Sequence, residues 1–268
     1  MKTRTLITIL ILVLVVLLIN SCSTMLNQSV KGGDYTEVKR LIEEGANVNG
    51  CDYLVVGARG RTALMYASEY GHTEIVKLLI EEGANVNEII EEWHKGKTAL
   101  MFASEKGHTE IAKLLIEAGA DVNAKTHDRG LERTGGQTAL MHASGAGLWG
   151  ERNIEVVKLL IEEGADVSAF DVWGQTALMF AGEGNHTEIA KMLIEEGAEV
   201  NARDISGRTA LMLASYWEWH PHLEVIKLLI ESGADINAKD IDMKTALMYA
   251  SERGHTEIVK LLKEAGAK

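Results

Sequence analysis

Residues Gly60 to Asn87 read Gly-Arg-Thr-Ala-Leu-Met-Tyr-Ala-Ser-Glu-Tyr-Gly-His-Thr-Glu-Ile-Val-Lys-Leu-Leu-Ile-Glu-Glu-Gly-Ala-Asn-Val-Asn, and variants of this stretch fill nearly everything after residue 25. The tetrad Thr-Ala-Leu-Met returns at Thr62, Thr98, Thr138, Thr176, Thr209 and Thr245. A Gly-Ala pair returns at Gly45, Gly83, Gly119, Gly164, Gly197, Gly233 and Gly266. The shortest spacing in both series is 33 residues, and the longer spacings are 33 plus an insertion. A fixed period in this range predicts a solenoid whose units bury their apolar faces only against their neighbours.

Within one unit, Thr62 can cap a first short helix, because its hydroxyl can accept an orphan backbone N–H. Leu64, Ala67 and Ser68 share one face at i, i+3, i+4 spacing, and the small Ala67 and Ser68 predict close helix approach. Gly71 supplies a left-handed stop. Thr73 starts a second helix, with Glu74 favourably placed at its positive N-terminus. Ile75, Val76, Leu78, Leu79 and Ile80 form a broad apolar face, with Lys77, Glu81 and Glu82 outside it. Gly83 ends that helix, and Asn85-Val86-Asn87 leads into a polar turn.

A turn, two helices and a returning loop in 33 residues resemble the ankyrin repeat, whose tetrad is Thr-Pro-Leu-His. Every copy here carries Ala for Pro and Met for His. Ala is a strong helix former, so the expected consequence is a slightly softer helix start and the same fold. The resemblance covers residues 26–268 and implies an all-α ankyrin-repeat solenoid of about seven helix-turn-helix units with protruding hairpin loops.

The N-terminus is of another kind. Lys2 and Arg4 precede an apolar run from Leu6 to Ile19, interrupted only by Thr8. Fourteen residues fall short of the roughly 20 that span a bilayer and fit a signal-peptide core of about 7–15. The run ends in Ile19-Asn20-Ser21-Cys22, which resembles the bacterial lipoprotein box; Asn20 departs from its usual small second residue. That resemblance implies lipid attachment at Cys22 after removal of residues 1–21, hence a cell-envelope protein facing the periplasm or exterior. An ordinary secretory signal and an uncleaved anchor are the alternatives. Cleavage would remove Lys2 and Arg4 and take the net charge from −12 to −14. Such an acidic chain lacks the cationic surplus that nucleic-acid phosphates or an anionic bilayer need. Cys51, the one other cysteine, cannot form an internal disulfide after lipidation and reads as an ordinary loop residue.

The expected organisation is a signal peptide over 1–21, a lipidated Cys and short tether over 22–25, a capping repeat over 26–50, five full repeats over 51–237 and a second cap over 238–268. The first copy is expected to have a shortened first helix. Aligned on Gly45, Glu37 stands in place of Ile75 and Arg40 in place of Leu78; at the far end Lys263 stands in place of Ile80. These substitutions turn an end-facing stripe polar, as a solenoid cap requires.

Insertions distinguish the copies. From Asn201 to Thr209 is 8 residues, but Asn49 to Thr62 is 13, Asn87 to Thr98 is 11 and Asn123 to Thr138 is 15, so the first three hairpins are enlarged. Two further insertions, Leu148–Asn153 and Trp217–His222, separate paired helices. Insertions of this kind map to loops and often mark the binding face. All five tryptophans, Trp93, Trp149, Trp173, Trp217 and Trp219, fall in hairpins, insertions or the variable end of a first helix. Tyr53, Leu54, Val55 and Val56 lie in the first enlarged hairpin, Ile89 and Ile90 in the second, and Phe170 in a later one. Large aromatic side chains dominate interface hot spots, so these residues are partner-binding candidates; folding down over their own loops is the alternative.

The ankyrin resemblance implies a concave groove lined by hairpin tips and exposed first-helix positions. Carried over by position, Arg61, Lys97, Gln137, Gln175, Arg208 and Lys244 face it from just before each Thr. Tyr70 (with Glu69), Lys106 (with Glu105), Tyr216 (with Trp217) and Arg253 (with Glu252) face it from the end of a first helix.

Catalytic chemistry finds little support. Gly145-Ala-Gly-Leu-Trp-Gly150 matches a dinucleotide-binding pattern but lacks a surrounding βαβ unit. His72, His108, His186 and His255 recur at one repeat position and read as scaffold. Glu218, His220 and His222 form a loose cluster, a weak candidate for a surface metal site. The resulting expectation is a non-catalytic, monomeric protein–protein interaction module without a cofactor, holding a protein partner through its concave groove and inserted hairpins. A structural envelope spacer without a specific partner is the alternative reading, and a metal-dependent enzyme the minor one.

Overall fold

A computed structural model describes residues 24–52, 60–89, 96–127, 135–145, 153–216 and 223–268. Fourteen helices lie among the described residues: α1 (24–32), α2 (Tyr35–Glu43), α3 (Ala63–Tyr70), α4 (Thr73–Glu81), α5 (Ala99–Lys106), α6 (Thr109–Glu117) and α7 (Ala139–Gly145), followed by α8 (Ile154–Glu162), α9 (Ala177–Glu183), α10 (Thr187–Glu195), α11 (Ala210–Tyr216), α12 (Leu223–Glu231), α13 (Ala246–Glu252) and α14 (Thr256–Glu264). They form seven pairs of one first helix and one second helix, an all-α repeat solenoid. Two isolated β-bridges, Cys51 with Thr62 and Phe170 with Thr176, tie hairpins to the helices that follow. Among the described residues, no helix is long and apolar enough to cross a membrane. The chain divides into two compact units, residues up to 103 with 110–120, and residues 104–109 with 121–268.

The tetrad builds each first helix as its chemistry demands. Thr62, Thr98, Thr138, Thr176, Thr209 and Thr245 each accept, through Oγ1, the N–H of the tetrad Met three residues on, at 3.3–3.4 Å. A Thr cap of this kind contributes about 1 kcal/mol. Met65, Met101, Met141, Met179 and Met212 are buried, so the thioether fills core space at five copies, whereas Met248 is exposed. In one copy the sulfur also accepts a weak bond, from Thr98 N–H to Met101 Sδ at 3.5 Å. Gly71 closes α3 with φ 78°, a left-handed conformation that glycine adopts without strain.

In the second unit the first helices α7, α9, α11 and α13 stack in one layer and the second helices α8, α10, α12 and α14 in another. Small residues allow the first layer to close up: Ala143, Ala181, Ala214 and Ala250 are fully buried. A Cβ on Gly182 would lie 3.2 Å from the Ala210 carbonyl oxygen of the neighbouring helix. Gly145 at the end of α7 has the same kind of role, since a Cβ there would meet the Phe180 ring at 2.8 Å. The second layer buries β-branched and leucine side chains such as Val156, Ile189, Val225 and Ile258.

Each polar turn after a second helix clamps the next. Asn201 Nδ2 donates to the Gly233 carbonyl at 3.0 Å while its Oδ1 accepts the Asp235 N–H at 2.7 Å. Asn123 holds Gly164 and Asp166 in the same way, at 3.0 and 2.8 Å. Asn237 does so with Gly266 and Lys268, at 3.4 and 2.9 Å. In the first unit Asn49 clamps Gly83 and Asn85, and Asn87 reaches Gly119. The fourth turn carries Ser168 at this position, and its hydroxyl bonds back to Asp166 Oδ1 at 2.6 Å.

The first copy corrects one expectation. Its first helix is not shortened: α1 covers 24–32, with Thr24 standing 38 residues before Thr62 and Gly33 38 before Gly71. Its tetrad, Thr24-Met25-Leu26-Asn27, has diverged, which hid the helix from pattern matching. Asn27 is fully buried at the tetrad's Met position because Asp52 Oδ1 accepts its Nδ2 at 2.9 Å. In α2 the polar stripe forms its own network, Arg40 bridging Glu37 at 2.7 Å and Glu44 at 2.5 Å.

Candidate functional site

The residues that change from copy to copy gather on the first helices and the turns before them. In the first unit they form alternating cations and rings. Lys31 Nζ lies 4.0 Å from the Tyr66 ring centre, and Arg61 Cζ lies 5.6 Å from Tyr66 and 4.5 Å from Phe102. Lys97 Nζ completes the row 5.4 Å from Phe102. Arg61 also pairs with Glu69. Tyr70 stacks on Tyr66 with centroids 6.5 Å apart and an 11° interplanar angle, yet stays 52% exposed. Beneath them Asp52 accepts from Lys31 at 3.1 Å and from the Tyr66 hydroxyl at 2.8 Å. Burial works to lower the Lys31 pKa, but its contacts with Tyr66 and Asp52 prevail and hold it above the ordinary lysine value.

The second unit repeats this chemistry around a cavity of 410 Å³ between α11 and α13. Tyr216 meets Tyr249 edge to face, with centroids 5.5 Å apart, and Arg253 Cζ lies 4.0 Å above the Tyr216 ring. Lys244 pairs with Glu252 at 2.7 Å, spanning eight residues as Arg61 and Glu69 do. Arg208 turns back to Asp204, its Nε and Nη2 both 2.8 Å from Oδ2. The Tyr249 hydroxyl donates to Asp240, as Tyr66 does to Asp52. Burial and that hydrogen bond push the Tyr249 pKa well above its ordinary value. For Asp240 burial acts upward, but the Tyr249 hydroxyl and the N–H groups of Lys244 and Asp242 outweigh it and depress the pKa.

The hairpins of this unit are built by Asp171, Asp204 and Asp240. Each carboxylate takes two backbone N–H bonds across its turn at 2.8–3.0 Å. The turns also bond to one another, Val172 N–H to the Gly135 carbonyl, Ile205 N–H to Trp173 and Ile241 N–H to Ser206. Val172, Ile205 and Ile241 consequently project at one repeated position, 44%, 57% and 71% exposed.

The sequence-derived candidates divide accordingly. Tyr216 and Arg253 come together at the cavity, Tyr70 lies on the ring row, and Lys106 is exposed beside Glu105 at 3.5 Å. Phe170 is 61% exposed on a hairpin, with Lys125 Nζ 5.5 Å from its ring. Trp173 is half-buried, and its backbone is taken up in hairpin stacking. Ile89 is half-buried at the edge of its turn. Tyr53, Leu54, Val55, Val56, Ile90, Trp93, Trp149, Trp217, Trp219 and Cys22 lie outside the described residues, as do Glu218, His220 and His222. Among the described residues no three His, Cys, Asp or Glu are grouped to hold a metal. The recurring histidines include His72, His186 and His255 at the starts of α4, α10 and α14. The His72 ring packs on Gly33, where a Cβ would lie 2.8 Å from Cε1.

Two series escaped the sequence reading. One is the residue after each tetrad, Tyr66, Phe102, His142, Phe180, Leu213 and Tyr249, aromatic in five of six copies. The other is the exposed residue after each hairpin Asp. Both carry a signal, since each recurs in step with the tetrad.

A family model described as ankyrin repeats (3 copies) matches the sequence in overlapping windows, residues 26–126, 87–171, 125–204, 150–240 and 203–268. The chain belongs to the ankyrin-repeat family. Ankyrin repeats generally mediate protein–protein interaction and are typically non-catalytic. A search of curated proteins finds no match. In this ankyrin chain the tetrad letters are capping or, in most copies, buried, and residues that vary between copies form the cation–ring surface on the first helices.

Proposed function

We propose that this ankyrin chain is a lipid-anchored protein of the bacterial cell envelope that holds a protein partner on its first-helix surface. The observation that carries the binding part is the pairing of Tyr216, Tyr249 and Arg253 around the 410 Å³ cavity, where aromatic and guanidinium groups are brought together on rigid helices. Tyr and Arg on a preformed surface provide contact area with little ordering entropy. The anchoring part rests on the basic, apolar and Ile-Asn-Ser-Cys pattern of residues 2–22. Acyl chains contribute roughly 0.8 kcal/mol per buried CH₂, so two or more on Cys22 give stable attachment.

The test is in-cell photo-cross-linking from position 70 on the first-helix surface and from position 163 after the second helix α8. The proposal expects a discrete adduct from position 70 and none from 163. Equal adducts from both, or none from either, contradict the binding part. Cys22→Ser is expected to release the protein from membranes or to block its processing; unchanged membrane attachment and mobility contradict lipidation.

A further inference from the structure

The hairpins of the second unit carry two rows of exposed side chains. Residues 170–172, 203–205 and 239–241 each run exposed, buried, exposed, with Asp171, Asp204 and Asp240 at the centre. This period of two places Phe170, Arg203 and Lys239 in one row and Val172, Ile205 and Ile241 in another, both turned away from the buried carboxylates. Met243 widens the apolar row at the last hairpin: it holds φ 62° where Gly174 and Gly207 stand in the two before, and its side chain is exposed. Backbone bonds fix the rows, Ile205 N–H to the Trp173 carbonyl at 2.8 Å and Ile241 N–H to the Ser206 carbonyl at 3.0 Å. Arg203 Nη2 donates to the Lys239 carbonyl at 3.0 Å, a neutral acceptor that orients the guanidinium without cancelling its charge. Among the described residues no carboxylate pairs with Arg203 or Lys239, whereas Arg208 is held by Asp204 and Lys244 by Glu252.

The spacing of the rows selects what can lie on them. Each hairpin contributes two strand-like segments, and bonded strands lie about 4.8 Å apart, so equivalent side chains recur about every 10 Å. Seven residues of α-helix advance about 10.5 Å and bring back the same face. A β-strand covers that distance in three residues, and its alternation then points the side chain to the opposite side. A helix also shows two neighbouring stripes, at i and i+4, one for each row, whereas a polyproline segment presents one stripe to a surface. A bilayer has no such period, and the exposed Glu199, Asp235 and Asp242 on the same turns disfavour anionic headgroups.

We propose that these hairpins dock an amphipathic α-helix of the protein partner, laid across the three turns. One stripe of that helix is apolar at heptad spacing and packs on Val172, Ile205 and Ile241. The neighbouring stripe is acidic where it meets Arg203 and Lys239 and apolar where it meets Phe170. This rests on the reading of the chain as the holder of a protein partner, and adds the hairpins and the form of what they receive.

The experiment places a photo-reactive residue singly at positions 172, 205 and 241 of the full-length protein in cells and locates the attachment site on the captured protein by mass spectrometry. All three side chains are exposed, so the replacements keep the fold. The expected sites lie on one segment of one protein, about seven residues apart for 172 and 205 and again for 205 and 241, with Asp or Glu beside the sites reached from 205 and 241. Arg203→Gln with Lys239→Gln should lower the adduct yield from position 205 by about fivefold or more, with an unchanged melting temperature. Sites three residues apart, sites scattered over several segments, lipid adducts, or a yield indifferent to the double variant overturn the inference. Absence of any adduct from the three positions also overturns it; an adduct from position 70 then leaves the first-helix partner surface standing, and absence at all four positions removes both.

Discussion

Replacing Ser168 by Asn should mend the interrupted clamp in the turn after α8. At the equivalent positions Asn123, Asn201 and Asn237 each make two bonds to the following turn, of 2.7–3.4 Å. Ser168 is too short to do so and bonds to Asp166 Oδ1 instead. Its Asn replacement would place an amide against the Gly197 carbonyl and the Glu199 N–H. Each hydrogen bond at such an exposed site is worth about 0.5–1 kcal/mol net. Ordering the longer side chain and losing the Ser168 hydroxyl bond offset part of that, leaving about 1 kcal/mol. For a chain of this size that corresponds to roughly 2–4 °C in Tm. Because repeat arrays can open locally, amide hydrogen exchange is the sharper assay: about 1 kcal/mol is close to fivefold slower exchange at Glu199. Asn201→Ser should do the reverse at Asp235. Unchanged Glu199 exchange together with unchanged Asp235 exchange would refute the idea that these asparagines bear on the joints between copies.

Other perturbations test the hairpins and the polar network. Gly207→Ala places a Cβ on a residue with φ 76° and 3.2 Å from the Asp240 Cα, so a loss of about 1–2 kcal/mol is expected by chemical denaturation. At the corresponding site Met243 already tolerates φ 62°, and Met243→Gly should therefore be neutral to mildly stabilising. The raised Tyr249 pKa means that the folded state keeps its proton where the unfolded chain has lost it. Its contribution is fully present below the ordinary tyrosine value of about 10 and declines as pH rises beyond it. Tyr249→Phe should flatten that alkaline decline in a pH series of melting curves; an identical decline in the variant would dismiss the Tyr249–Asp240 bond as its source.

Much of the scaffold was legible because its causes are local. A Thr cap, a glycine stop and an apolar stripe each act within a few residues, so Thr62, Gly71 and Ile75 could be assigned from their neighbours alone. Helix α1 was misjudged because its buried Asn27 is made acceptable by Asp52, 25 residues away. Tyr66 and Phe102 were passed over because they are buried and behave as core while still shaping the surface through Arg61. The hairpin stacking that fixes the Trp173 backbone was not legible, because it joins Trp173 to Ile205 of the next turn.

The most direct measurement is the affinity of the partner cross-linked at position 70, once purified, for the wild-type chain and for two variants, Tyr70→Ala with Lys97→Glu, and Glu163→Ala with Glu196→Ala. The account predicts at least a tenfold loss for the first pair, none for the second, and melting temperatures within a few degrees of wild type for both. Full affinity in the first pair, or an equal loss in the second, would contradict a partner site on the first helices.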